Sequence, residues 1–578
     1  MNLSVNSNKF LRTLRHLRLV QCSVVLIAFA LCICGFAKDR DKENDTEIKF
    51  TARTELVLIP TLVTDKSGVH ITGLKKEDFT VLENGSERQV AVFEEVTTDG
   101  HPLSRPKDPN EFTNSLGGAS FGRVTLIVLD LINTPFAGQA YARQGLLKYL
   151  SQSVERREPV GLFTLTRSGI HTIHDFTTDP RVLIAALHKV NGDSSAQLVD
   201  TPDVVEGVTG TASPDGSAGV DPGAVQSEAA KLQTMMENVE LNVKSFQQRL
   251  AITYTLEAMQ QVAQAMAGFP GRKSLIWAGG GFPFSVSDTT MQLAPAGRDT
   301  LSDVLPMYEH TWQLLNHAHI ALYPVDVNGL KTNMPGISLR NPGTNYARNA
   351  SWQQIDTQAT MQIFAAASGG RAYYNSNDLV NGFREAVRDS SEYYMLGYYL
   401  DRSNTKAGWR KLSVKVKRDH AEVRARNGFF VTKATVDPAP SRDSDIASAL
   451  SSPLDYTALS IVARWETVEA SNVAGRKRVR FKVDLAPDTS LINAADNNHI
   501  ALEFYALAKT PEGKQVDNPS GQSIDIHPNP DNLALIREKG IGYRGALDLA
   551  PGEYTVRFVA RDDLSGRVGS VAAPLKVE

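Results

Sequence analysis

The sequence predicts an α/β domain combined with all-β segments. Three observations carry this. First, Val124-Thr-Leu-Ile-Val-Leu129 is a run of strand formers with almost no polarity, ending in Asp130 and a turn with Asn133, Thr134 and Pro135. Such a run suits a strand buried on both faces of a parallel sheet. Second, strand-like and helix-like segments alternate from 123 to 390, which implies right-handed crossovers and a mostly parallel, doubly wound sheet. Third, the segments on either side alternate apolar and polar residues and carry hairpin turns, the pattern of antiparallel sheets.

With 578 residues and 42% hydrophobic content, the chain is long enough for several cores. A net charge of −3 and the lack of a basic, aromatic-interleaved patch give no sign of a nucleic-acid partner. Residues 1–37 read as a signal peptide. Lys9, Arg12, Arg15 and Arg18 precede a mostly apolar stretch from Leu19 to Phe36, and Gly35-Phe36-Ala37 offers a cleavage site. The alternative is an uncleaved anchor helix, for which the apolar run is short. Cleavage implies an exported protein: periplasmic, outer-surface or secreted. Cys22, Cys32 and Cys34 all lie in this leader, so the mature chain can form neither a disulfide nor a thiolate metal site. No other segment is long and apolar enough to span a membrane.

Residues 50–97 read as an N-terminal β-unit. Leu56 to Val63 is a strand, Phe79 to Glu83 another, Asn84-Gly85 a hairpin turn, and Gln89 to Val96 the strand that closes it. Residues 98–122 read as a linker. The α/β domain follows at 123–390. After Asp130 comes a helix with Leu147, Leu150 and Val154 on one face, then a buried strand at Val160 to Thr166. Ile170 to Phe176 fits an edge strand and Pro180 to Val190 a helix. Residues 196–224 carry negative charge and no period, and read as a flexible insertion. A long helix runs from about 225 to 267. Lys273 to Trp277 and Ile320 to Val325 are further strands, the second ending in Asp326. Residues 330–356 read as loop, Thr360 to Ser368 as helix, Arg371 to Tyr374 as a short last strand, and Leu379 to Arg388 as the last helix. Three hairpin-like strands within 391–432 are expected to pack with 50–97. Residues 433–455 read as a second linker. Residues 456–578 read as a β-sandwich-like domain, in which Leu549-Ala-Pro-Gly-Glu-Tyr554 resembles a tyrosine corner.

Few motifs point to catalysis. Gly118-Ala-Ser120-Phe-Gly122 has the hydrolase spacing, but its serine precedes a strand where an elbow serine must follow one. Gly268-Phe-Pro-Gly271-Arg-Lys-Ser274 also precedes its strand, whereas a phosphate loop follows one. His171 and His174 have no further ligand at metal spacing, and His317 and His319 straddle a helix end. Gly279-Gly280-Gly281 does follow a strand, so its N–H groups could face an anion, or it is simply a tight turn.

Residues 123–390 resemble the von Willebrand factor A domain, and 50–430 resemble the VWFA-related secreted proteins of Acidobacteria. The residues that carry this are Leu-Lys-Lys-Glu-Asp-Phe79 with Glu-Asn-Gly85, then Leu-Ile-Val-Leu-Asp-Leu-Ile-Asn-Thr134. Lys-Ser-Leu-Ile-Trp277, Leu-Tyr-Pro-Val-Asp326 and Tyr-Tyr-Met-Leu-Gly-Tyr-Tyr399 continue it. The resemblance implies a ligand-binding domain with a metal-ion-dependent adhesion site holding Mg²⁺ or Mn²⁺ on hard oxygen ligands. Asp130 matches the aspartate of that motif and Thr134 its second hydroxyl, while Ile132 stands at the first serine position and cannot ligate. Ser194 or Ser195 would replace the family's threonine. Ala278-Gly279-Gly280 stands where the family has an aspartate, and Asp326 would substitute. The site is therefore degenerate, and the alternative role for Asp130 is to cap the following helix.

Two functional classes follow. One is an exported, non-enzymatic protein whose α/β domain binds a protein or cell-surface partner. The other is an exported, hydrolase-like enzyme using the cleft at the carboxyl edge of the sheet, against which stands the lack of a nucleophile–base pair or a metal triad.

Overall fold

The structure is a computed structural model and describes residues 54–97, 110–114, 124–152, 159–189, 222–269, 271–286, 291, 304–330, 346–389, 392–401, 405–431, 439–488, 491–492 and 498–578. The expected signal peptide, Ser120, Ser194, Ser195 and nearly all of the 196–224 insertion lie outside these residues. The chain divides into two compact units. One comprises 56–399 and 406–578; of the other, 1–55 and 400–405, the structure describes Thr54, Glu55, Leu400 and Asp401, which end strands, and Thr405.

The centre is a five-stranded sheet in the order Ile320–Asp326, Lys273–Gly279, Val124–Asp130, Val160–Thr166, Gly169–Thr177. The first four strands run parallel and the edge strand Gly169–Thr177 is antiparallel. The expected strand Arg371 to Tyr374 shrinks to one parallel bridge between Val325 and Tyr373.

The apolar run at 124–129 is buried because both faces of the sheet are covered. Val124, Leu126 and Val128 join a core with Leu256 and Met259 of the helix Pro222–Met266, Trp312 of Leu305–His317, and Phe364 of Tyr346–Ser368. Ile127 and Leu129 point the other way, as the two-residue period requires. They pack with Leu146 and Leu150 of Phe136–Ser151, Leu183 of Pro180–Lys189 and Phe383 of Leu379–Arg388. The helix Tyr346–Ser368 begins well before the expected Thr360 and takes in 346–356 of the segment read as loop.

The N-terminal strands pair with the later ones across the α/β insert. Val92–Thr97 runs antiparallel to Glu392–Asp401, and Phe79–Glu83 to Gly408–Val416. Asn84 and Gly85 both have positive φ, the signature of a type I′ turn, and they join Phe79–Glu83 to Ser86–Arg88. The hairpin is therefore closed by Ser86–Arg88. Val92–Thr97, expected to close it, belongs to a different sheet.

The C-terminal residues, joined by the strand Glu111–Thr113, form two four-stranded antiparallel sheets over one core with Phe481, Phe504 and Phe558. Tyr554 OH donates to Ala550 O at 2.9 Å, the bond a tyrosine corner makes. Both segments read as linkers contain structure. Glu111–Thr113 is a strand paired with Ile461–Ala470. Ala439–Ser451 is a helix that buries Ile446, Ala449 and Leu450 against the α/β core. Their polar composition hid a three-residue strand too short to show a period and an apolar stripe at helical spacing.

Candidate functional site at the carboxyl edge of the sheet

Asp130 ends the central strand and is 1% exposed. Its Oδ1 accepts the backbone N–H of Ile132 at 3.1 Å and of Asn133 at 3.0 Å. Its Oδ2 accepts the Asn133 side-chain amide at 2.7 Å and the Trp277 indole N–H at 2.9 Å. Burial pushes this carboxyl upward, and the four hydrogen bonds pull it back. Asn133 also donates to Thr255 Oγ1 at 2.9 Å, which ties the turn to the helix Pro222–Met266.

Thr134 donates its hydroxyl to Asp130 O and accepts the Gly280 N–H at 2.9 Å. Gly280 O accepts the Asn328 amide at 2.9 Å, and Asn328 donates both its backbone N–H and that amide to Asp326 Oδ1, each at 2.9 Å. Asp130, Thr134 and Asp326 are thus brought to one edge, linked through Gly280. The turn requires glycine: a Cβ on Gly280 would sit 2.6 Å from Asn133 O. Gly281 has φ of +137°, where a Cβ would strike Thr357. Gly280 gives its N–H to Thr134, so at this residue the turn serves the protein rather than an anion.

This donor set does not fit Mg²⁺ or Mn²⁺. A carboxylate has about four lone-pair sites, and here four N–H donors approach them. Their positive ends stand where a cation would have to be, and Mg²⁺ demands near-ideal oxygen geometry. The Thr134 hydroxyl is committed on both sides. The expected set of Asp130, Thr134, Ser194 and Asp326 thus contributes no open oxygen from Asp130. The reason is a residue the motif comparison passed over. Trp277 lies one strand away, and its indole takes the coordination position that a metal would need. Nor does Asp130 cap the helix Phe136–Ser151, whose N-cap is Pro135. It closes the turn that precedes that helix.

Beside this edge lies a groove of about 880 Å³ between the hairpin 160–177 and the helix Pro180–Lys189. Thr166, Ser168 and His171 supply polar groups, Arg167 and Lys189 positive charge, and Val182 apolar surface. His171 Nε2 lies 2.8 Å from Ser168 Oγ and His174 Nδ1 2.6 Å from Asp175 O, so each histidine has a protein partner. No period along the chain marks this groove, because its residues come from a strand end, a turn and a helix face.

No protein-family model matches the sequence, and no curated protein matches it.

Proposed function

We propose that this is an exported, non-enzymatic binding protein whose α/β part is a von Willebrand factor A-like domain. It recognises a protein or cell-surface partner without a metal ion. One observation carries this reading: the Asp130 carboxylate, the Thr134 hydroxyl and the Gly280 N–H all have hydrogen-bond partners within the protein, while a groove with mixed polar, cationic and apolar lining lies directly alongside. Open α/β sheets bind ligands at this edge. The strand order, with one antiparallel edge strand, supports the A-domain assignment. Among the described residues no helix is long and apolar enough to cross a membrane.

The test is capture of envelope and surface proteins by the purified chain, with Arg167→Glu/Lys189→Glu as the control. A partner retained by the parent chain and lost by the double variant supports the reading. Equal retention by both removes the groove from it, and turnover of ester or peptide substrates by the purified chain removes the non-enzymatic assignment.

A further inference from the structure

A small cavity lies at the amino end of the parallel strands, opposite the edge that holds Asp130. Arg272 immediately precedes the strand Lys273–Gly279 there, and His319 precedes the strand Ile320–Asp326. Two helices end beside them: Leu305–His317 supplies Leu315 and Asn316, and Tyr346–Ser368 supplies Ser368. Pro60 of the N-terminal β-unit and Arg426, just before the strand Gly428–Val431, complete the walls. The cavity measures about 10 Å³, room for about one water-sized sphere.

Its polar walls present donors. Arg272 is 2% exposed. Its Nη1 donates to Pro60 O at 3.4 Å, and its Nη2 to Tyr323 OH at 3.1 Å and Gly369 O at 2.5 Å. All three are neutral oxygens, and the buried Nε–H meets no acceptor. Arg426 Nη1 donates to Asn316 Oδ1 at 3.4 Å, which fixes the way that amide is turned. The buried Asn316 Nδ2 then meets no acceptor either. The neighbouring oxygens are engaged. Ser368 donates its hydroxyl to Phe364 O at 3.0 Å and accepts the Leu322 N–H at 2.8 Å. At the helix ends, Leu314 O accepts from Ala318 N, Asn316 O from His319 N, and Ala365 O from Gly370 N.

Charge decides what suits such a space. A buried guanidinium without an ionised partner is costly. Among the described residues lining the cavity none is Asp or Glu. Asp389, near Tyr323, is held at both oxygens by Arg424. Each helix end brings about half a negative charge, which offsets part of the Arg272 charge but gives neither N–H an acceptor. The surroundings are positive enough that Lys273, Arg426 and His317, together with burial, hold His319 down to about 3. A water placed here would have to donate two hydrogens of its own; an anion only accepts.

We propose that this cavity binds one small monatomic anion, a halide such as chloride, with Arg272 Nε–H and Asn316 Nδ2 as its donors. Sulfate and phosphate, with five heavy atoms each, exceed the space. The ion joins segments far apart in the chain, so it belongs to the native state alone and stabilises it by mass action.

The experiment is thermal unfolding of the full chain, dialysed into sodium gluconate at neutral pH, as chloride replaces gluconate at constant ionic strength. The melting temperature should rise, and beyond saturation by an equal step for each tenfold increase in chloride. Asn316→Asp places a carboxylate at the cavity wall. It should melt in gluconate near the temperature of the chloride-saturated parent and lose the response to chloride. Crystals of the parent chain grown in bromide should show an anomalous peak beside Arg272 Nε, a readout that needs no variant. A parent chain indifferent to chloride, an Asn316→Asp chain that still responds to it, or water at that position in the bromide crystals would each overturn the proposal.

Discussion

Trp277 donates its indole N–H to Asp130 across two adjacent parallel strands, and this bond completes the set of four around one buried carboxylate. Both oxygens must therefore remain acceptors. In Asp130→Asn one of them becomes an NH₂ group facing N–H donors, whichever way the amide is turned. We expect this near-isosteric change to cost about 1–3 kcal/mol, the usual range for unsatisfied buried polar groups. Urea unfolding followed by tryptophan fluorescence measures it, and unchanged stability would mean that the ring of donors is not formed.

The same ring predicts the response to metal. Titration calorimetry with Mg²⁺ or Mn²⁺ should show no saturable heat, and neither ion should raise the melting temperature, because a ligand that binds only the native state must stabilise it. Saturable binding that Asp130→Ala abolishes would show that the donors give way to a cation.

Two buried bases predict acid sensitivity. His319 is held down to about 3 by burial and by the nearby charges of Lys273, Arg426 and His317. Lys273 is held down to about 7 by burial. In each case the unfolded chain binds the proton more readily. Stability therefore rises with pH between the folded and the ordinary value: from about 3 to 6.5 for His319 and from about 7 to 10.5 for Lys273. Unfolding free energies measured from pH 4 to 10 should increase by a few kcal/mol for each group. His319→Asn suits the residue's positive φ of 51° and should flatten the acidic part alone. Lys273→Met should flatten the alkaline part and be more stable than the parent at pH 7.

Asn114 is the fourth test. Its amide donates to Tyr456 O at 2.6 Å and Leu459 O at 2.7 Å, and its carbonyl oxygen accepts from Ile461 N at 2.9 Å. Asn114→Ala leaves three buried backbone groups without their partner, and we expect a loss of about 2–4 kcal/mol. Asn114→Asp sets a carboxylate oxygen against the two carbonyl oxygens that the amide NH₂ served, and should be at least as destabilising as Asn114→Ala. A loss below about 0.5 kcal/mol in Asn114→Ala would mean that the segment is not bound to the C-terminal sheets.

What could be read from sequence depended on how local the signal was. Val124 to Leu129 declares a buried strand by composition, and Asn84-Gly85 declares a hairpin because few residues accept two positive φ values in succession. The Tyr554 corner was legible for the same reason. The strand Glu111–Thr113 was not, since its partner is more than 340 residues away and three residues carry no period. At the site, Asp130, Thr134 and Asp326 were recognisable as polar residues at strand ends. The roles of Trp277 and Asn328 depend on neighbouring strands and could not be read along the chain. Alternation does place Trp277 on the same face of its strand as Leu275, towards the long helix, but says nothing of what its indole meets.

The strand Glu111–Thr113 also sets an order of assembly. It leaves the ribosome long before Ile461–Ala470, the only strand it pairs with among the described residues. Until then it must wait unpaired while some 350 intervening residues are made and folded around it. The last sheet to close is thus sealed by one of the earliest segments. A chain cut between the α/β domain and Ile461 would be left holding a strand with nothing to join, so truncation at an apparent domain boundary should yield sticky, poorly soluble fragments rather than separate modules.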